Sequence, residues 1–184
     1  MTGWWRVIVF LLLAGDLYAR SGFPPTIDHD GQPLPLQGAG TAYYLGVIAV
    51  YDAALYAATE VTPEGYLVDG QCLAIRYKKP IKRSDFVRAA ETILERQHSQ
   101  AVLADFRTEL DRLHFGYTDV EPGDEYRLCY RAPAGLALAF NGAEVIRVGG
   151  EGFARLYFGI WLGQRSLSDD LRESLLGGAV RPRG

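Results

Sequence analysis

Two cysteines, three histidines and eleven tyrosines are the side chains with the most chemistry to offer in this 184-residue chain. The tightest grouping is Glu91, Glu95 and His98, which fall on one helical face at i, i+4 and i+7. Two carboxylates and an imidazole can take a divalent metal, but a solvated helix shows the same spacing, and the solvated reading is preferred. No metal ligand and no cofactor are expected. Asp169-Asp170 reads as a pair favoured by a helix dipole. Five cations crowd one stretch, Arg76, Lys78, Lys79, Lys82 and Arg83, and Pro80 within it marks a loop surface.

The familiar catalytic signatures are absent: the sequence holds no Gly-x-Ser-x-Gly, His-Glu-x-x-His, Cys-x-x-Cys or P-loop pattern. Gly38-Ala39-Gly40 lacks the third glycine of a dinucleotide loop, and Glu151 would repel a phosphate at the turn Gly149-Gly150-Glu151-Gly152. Both clusters are expected to be tight turns where backbones approach closely. Cys72 and Cys129 each sit in a strand-like segment. Alternation puts Cys72 with Ala74 and Arg76 on one face, and Cys129 with Arg127 and Arg131. A disulfide between them requires the two strands to be neighbours, and the sequence alone leaves that open.

Composition is that of a globular chain, with 48% apolar and 22% charged residues. A formal charge of −3 provides no global attraction to nucleic acid. The tyrosine content suits a half-polar pocket or a sheet face. Residues 1–19 read as a signal peptide. Arg6 precedes an apolar run over 7–14 that is too short to span a bilayer, and Leu17-Tyr18-Ala19 supplies the small residue for cleavage. Export to the periplasm or the medium is therefore expected, with no transmembrane anchor in the mature chain. Asp16 stands where a lipoprotein would need cysteine.

The elements that must position these groups follow from periodicity. Residues 21–37 read as an irregular segment and a short hairpin turning at Asp30-Gly31. Residues 42–58 are apolar apart from Asp52 and rich in tyrosine and valine, and are expected to form one long central strand. A strand over 72–77 follows, then a helix capped by Ser84 and a second helix over 100–113 closed by Gly116. Strands over 126–131, 136–140 and 143–148 come next, the last two joined at Asn141-Gly142. A helix from the glycine turn to Gly163 presents Phe153, Leu156, Tyr157, Ile160 and Trp161 on one face, and a short helix over 168–176 ends the fold. Residues 20–177 make one α+β domain, an antiparallel β-sheet backed by helices on one face, and 178–184 a flexible tail.

Several segments, in this order, resemble the chalcone isomerase-like family. They are Leu36-Gln37-Gly38-Ala39-Gly40, then Val50-Tyr51-Asp52-Ala53-Ala54-Leu55-Tyr56, Pro80-Ile81 and Pro122-Gly123-Asp124-Glu125-Tyr126. Gly152-Phe153-Ala154, Ile160-Trp161-Leu162-Gly163 and Leu175-Leu176-Gly177 complete the series. The resemblance implies an open-faced sandwich and either of two activities. Plant enzymes of this type close a flavanone ring by intramolecular addition, an isomerisation in which an arginine steadies the moving negative charge. Fatty-acid-binding relatives use the arginine and a tyrosine to hold a carboxylate.

The arginine belongs just after Gly-Ala-Gly, where this sequence has Thr41-Ala42-Tyr43, and the tyrosine falls at Tyr51. With Ala42 at the anchor position, the expectation is a non-catalytic binder of a small hydrophobic ligand such as a fatty acid. Tyr51 is its foremost polar contact, with Tyr43 and Tyr44 behind it. The alternatives are an isomerase in which another cation such as Arg76 replaces the arginine, or a periplasmic interaction protein without a ligand. The sequence names no protein partner.

Overall fold

The computed structural model describes residues 22–177. The expected leader over 1–19 and tail over 178–184 lie outside the described residues. Seven strands run β1 (Thr26–His29), β2 (Gln32–Tyr44), β3 (Ile48–Ala57), β4 (Gln71–Tyr77), β5 (Glu125–Arg131), β6 (Gly135–Phe140) and β7 (Ala143–Val148). Their order in the sheet is their order in the chain, and each neighbouring pair is antiparallel. Helices α1 (Arg83–Gln97), α2 (Gln100–Asp105) and α3 (Arg107–Phe115) interrupt the meander between β4 and β5. Helices α4 (Glu151–Leu162) and α5 (Asp169–Leu175) follow it. The curled antiparallel sheet with helices is the α+β architecture read from the pattern.

Strand alternation divides the interior in two. Tyr51, Ala53, Leu55, Leu73, Ile75, Tyr77, Tyr126, Leu128 and Tyr130 point to the helices and form the main core with Leu110, Leu113, Phe153, Tyr157 and Trp161. The intervening residues Ala54, Tyr56, Cys72, Ala74 and Cys129 point the other way. That second face is covered by the segment over 23–34, where Phe23, Ile27 and Leu34 pack over it. The Tyr56 hydroxyl ties the cover down by donating to the Pro24 carbonyl at 2.9 Å. Beneath the cover Cys72 and Cys129 stand directly opposite in the β4–β5 register and are joined by a disulfide. Closing a loop across 57 positions removes denatured-state entropy equivalent to about 4 kcal/mol in the chain-entropy account.

The structure corrects four local expectations. Residues 42–58 are not one strand: β2 ends at Tyr44, the chain reverses through Leu45 (φ 51°) and Gly46 (φ 73°), and β3 begins at Ile48. An apolar turn residue carries no turn signal, so the strand pattern reads straight through it. The helix over 100–113 is two, broken at Phe106, whose φ of −106° and ψ of 12° leave the helical region. Ser84 does not cap α1. Asp119, from the loop after α3, accepts the Arg83 amide at 2.9 Å instead, a cap supplied from a distance that no local pattern reveals. Gly38 and Gly40 lie within β2 and not in a turn. Their expected close approach does occur, because α5 presses on this strand. A Cβ on Gly38 would run into the carbonyl oxygens of Ser174 and Leu175, and one on Gly40 would crowd Ser174.

Replacing Gly38 with alanine is expected to destabilise the fold by at least about 1–3 kcal/mol, since the obstruction is backbone and cannot rotate away. The lowered midpoint of urea unfolding measures this. Replacing the exposed Gly31, around which a Cβ meets nothing within 4 Å, with asparagine leaves the midpoint close to the parent's.

Candidate functional site

Ala42 on β2 stands directly opposite Tyr51 on β3, and both side chains belong to the main core beneath the helices. The pair expected to be an arginine and a tyrosine in a carboxylate-binding relative is here a methyl group and a tyrosine. Tyr51 is 8% exposed, and its hydroxyl accepts a hydrogen bond of 3.0 Å from the indole nitrogen of Trp161 on α4. The hydroxyl's own proton meets no acceptor among the described residues. Burial raises the Tyr51 pKa, and the indole donor only partly offsets it, so the group stays neutral.

Around Tyr51 the interior between sheet and helices is packed with rings. Tyr77 meets Tyr51 edge-on at 5.8 Å, and Phe86 of α1 meets Tyr77 at 5.3 Å. Phe86 stacks on Tyr117, which meets Tyr126 edge-on at 5.1 Å. Tyr157 packs beside Trp161 on α4 and shares a 2.9 Å hydrogen bond, hydroxyl to hydroxyl, with Tyr117. Tyr126 accepts from the Thr118 amide at 2.7 Å. Tyr77 lies among the hydroxyl-bearing rings of Tyr51, Tyr117 and Tyr126. Burial also holds Tyr77, Tyr117 and Tyr157 protonated. The surroundings of Tyr51 are thus apolar and neutral, and its own hydroxyl is engaged as an acceptor.

Tyr43 and Tyr44 are not brought to Tyr51. They pair with Ala49 and Ile48 at the far end of the β2–β3 hairpin and are 43% and 62% exposed. Arg76, the cation that could stand in for the missing arginine, lies on the opposite face of the sheet. It pairs with Glu125 at 3.0 Å, donates to the Gly22 carbonyl and lies over the Phe23 ring. The basic stretch is dispersed in the same way. Lys78 pairs with Asp52, Lys82 with Asp119, and Arg83 donates to the His114 carbonyl. Asp52, the lone acid of an apolar run, is accounted for by Lys78 at 2.8 Å and the Thr41 hydroxyl at 2.7 Å.

Glu91, Glu95 and His98 do not converge as a metal site. Glu91 turns to Arg107 at 2.8 Å and to the Nδ1 of His114 at 3.4 Å, while Glu95 is exposed and His98 caps the end of α1. Glu91 and His114 border an open groove of about 830 Å³ between α1 and α3, in which Lys82, Arg88 and Arg107 are all engaged by carboxylates. Metal-ligand types do meet at His29, Cys72 and Cys129, but there the sulfurs are bonded to each other.

A curled antiparallel sheet with a helical layer packed on one face is the architecture of a chalcone isomerase-type sandwich. Sequence comparison agrees: the chalcone isomerase-like family model matches residues 18–177, and the chain belongs to that family. Among solved structures it is similar to a fatty-acid binding protein from Arabidopsis thaliana, with a TM-score of 0.63 and 16% identity. That match covers 84% of this chain and 91% of the plant one, and at such low identity it speaks for the fold. No curated protein matches the sequence.

Sequence reasoning placed Trp161 on a core-facing helix but not against Tyr51, 110 residues away in the chain. Tyr117 and Tyr157 were likewise unpaired in the sequence. No local spacing encodes such meetings, although a cluster of buried hydroxyls is implied by having more tyrosines than a plain core needs.

Two outcomes follow. Tyr51→Phe leaves the Trp161 indole buried without its acceptor and costs about 1–3 kcal/mol, read from chemical denaturation. The buried tyrosines also set an alkaline limit. Their folded pKa values exceed the unfolded value, so their contribution is complete below the unfolded tyrosine pKa of about 10 and is lost as pH rises beyond it. The unfolding midpoint should stay insensitive to tyrosine ionisation up to that pH and then fall, and absorbance titration should show a group of tyrosines ionising only on unfolding.

Proposed function

We propose that this protein is a non-catalytic carrier or sensor of a small hydrophobic ligand, such as a fatty acid, held between the sheet and α4. The observation that carries the reading is the Tyr51 hydroxyl, whose oxygen is engaged by Trp161 and whose proton has no acceptor among the described residues. A buried donor in an aromatic lining is suited to one ligand oxygen. The fold neighbour's role in binding fatty acids supports the ligand class. Ala42 refines it: with no cation opposite Tyr51, a buried carboxylate would lack a counter-charge, so the favoured ligand has an uncharged head. A protonated acid, an ester or a long-chain alcohol qualifies. The rings of Tyr77, Phe86 and Tyr117 fill part of the space, and the ligand is admitted by their displacement.

An extracytoplasmic setting completes the proposal. The Cys72–Cys129 disulfide and the apolar segment over 7–14 both support it. Isomerase activity has no such support, because Arg76 faces away and the tyrosines near the site are held neutral. An interaction protein with a closed interior is the second reading, favoured by the mutual packing of the rings around Tyr77 and Tyr117.

Native mass spectrometry of the protein, with solvent extraction of anything released, separates these readings. The expected result is a stoichiometric lipid or aromatic compound that is retained less by Tyr51→Phe than by the parent. A clean apo mass across preparations, with no uptake of added dodecanol or dodecanoic acid, would exclude the ligand carrier and leave the interaction protein.

A further inference from the structure

The tip of the β2–β3 hairpin carries apolar side chains that the core does not use. Leu45 and Val47 at its apex are 77% and 78% exposed, and Tyr44 and Ile48 just behind them are 62% and 46% exposed. The turn itself is informative. The sheet makes the same left-handed two-residue reversal three times, at Asp30-Gly31 (φ 54° and 76°), Leu45-Gly46 (φ 51° and 73°) and Asn141-Gly142 (φ 47° and 85°). Aspartate and asparagine tolerate this backbone, whereas leucine is strained there. Two of the turns therefore take the residue that the backbone prefers. The third holds an exposed leucine against that preference, which points to a role for its side chain.

The groups behind the apex are layered. Aliphatic Leu45 and Val47 come first, then the tyrosines at 43 and 44, then the end of β4, where the Lys78 amide donates to the Val50 carbonyl and Lys78 and Lys79 are exposed. Lys78 already neutralises Asp52, and Lys79 has no ion pair among the described residues. Aliphatic side chains, then amphipathic rings, then cations is the order of chemistry met on passing out of a bilayer: acyl chains, interface, anionic headgroups. A narrow convex tip would need a matching pocket in a protein, but a fluid lipid layer closes around it.

We infer that the β2–β3 tip is a contact for an anionic lipid surface, with Leu45 and Val47 inserted below the headgroups and Lys79 at the phosphates. This is independent of the ligand proposed above, since it concerns exposed residues and can be measured without one.

The test is flotation of the full chain with vesicles of mixed phosphatidylcholine and phosphatidylglycerol, comparing the parent with a Leu45→Asn, Val47→Ser double variant. Asparagine suits the positive φ, so the variant should melt no lower than the parent. The expected result is that the parent floats and the variant partitions about tenfold or more weakly, with Lys79→Glu showing a smaller loss. Equal flotation of parent and double variant, or no flotation of the parent, would overturn the inference. A concentration-dependent dimer that the double variant abolishes, without vesicle binding by the parent, would also overturn it and assign the tip to a second copy of the chain.

Discussion

The hydrogen bond from Trp161 to Tyr51 joins the helical layer to the sheet at the site, and much of the surrounding arrangement depends on it. It ties α4 to β3 and occupies the tyrosine's oxygen as an acceptor while leaving the hydroxyl proton. The same bond explains why the site is neutral. A phenol buried this deeply and hydrogen-bonded to an uncharged indole has no counter-charge with which to ionise.

Alternation along β3 and β4 then sorts the chemistry. Tyr51 and Tyr77 face the helices, while Asp52 and Arg76, next to them in the chain, face the opposite side with their own partners, Lys78 and Glu125. Each charge is one residue away from the site and is excluded from it by the two-residue period of a strand. The disulfide sits on the charged side as well, under the cover formed by Phe23, Ile27 and Leu34. One face of the sheet is thus given to closure and charge, and the other to an apolar interior whose polarity is limited to hydroxyls and an indole.

Much of this organisation was legible in the sequence. The hairpins at Asp30-Gly31 and Asn141-Gly142 carry the residues that a positive φ demands, and Ser168 and the Asp169-Asp170 pair mark the start of α5. Alternation placed Cys72 and Cys129 on matching faces, although only their register shows that they meet. The misses have a common cause. The turn at Leu45-Gly46, the Asp119 cap on α1, the break at Phe106 and the Trp161–Tyr51 bond are all decided by tertiary context or by a residue acting against its local preference. Family resemblance singled out Tyr51 and Ala42, which the register sets opposite each other, but neither the indole partner of Tyr51 nor the rings around it could be read from the sequence.

The central claim is that the Tyr51–Trp161 pair receives the ligand, and the indole proton of Trp161 reports on it directly. In a proton–nitrogen NMR spectrum, with the resonance assigned by its loss in Trp161→Phe, titration with dodecanol should shift this signal progressively to saturation. A signal that stays fixed while dodecanol binds elsewhere, or while no binding is detected, would contradict the account.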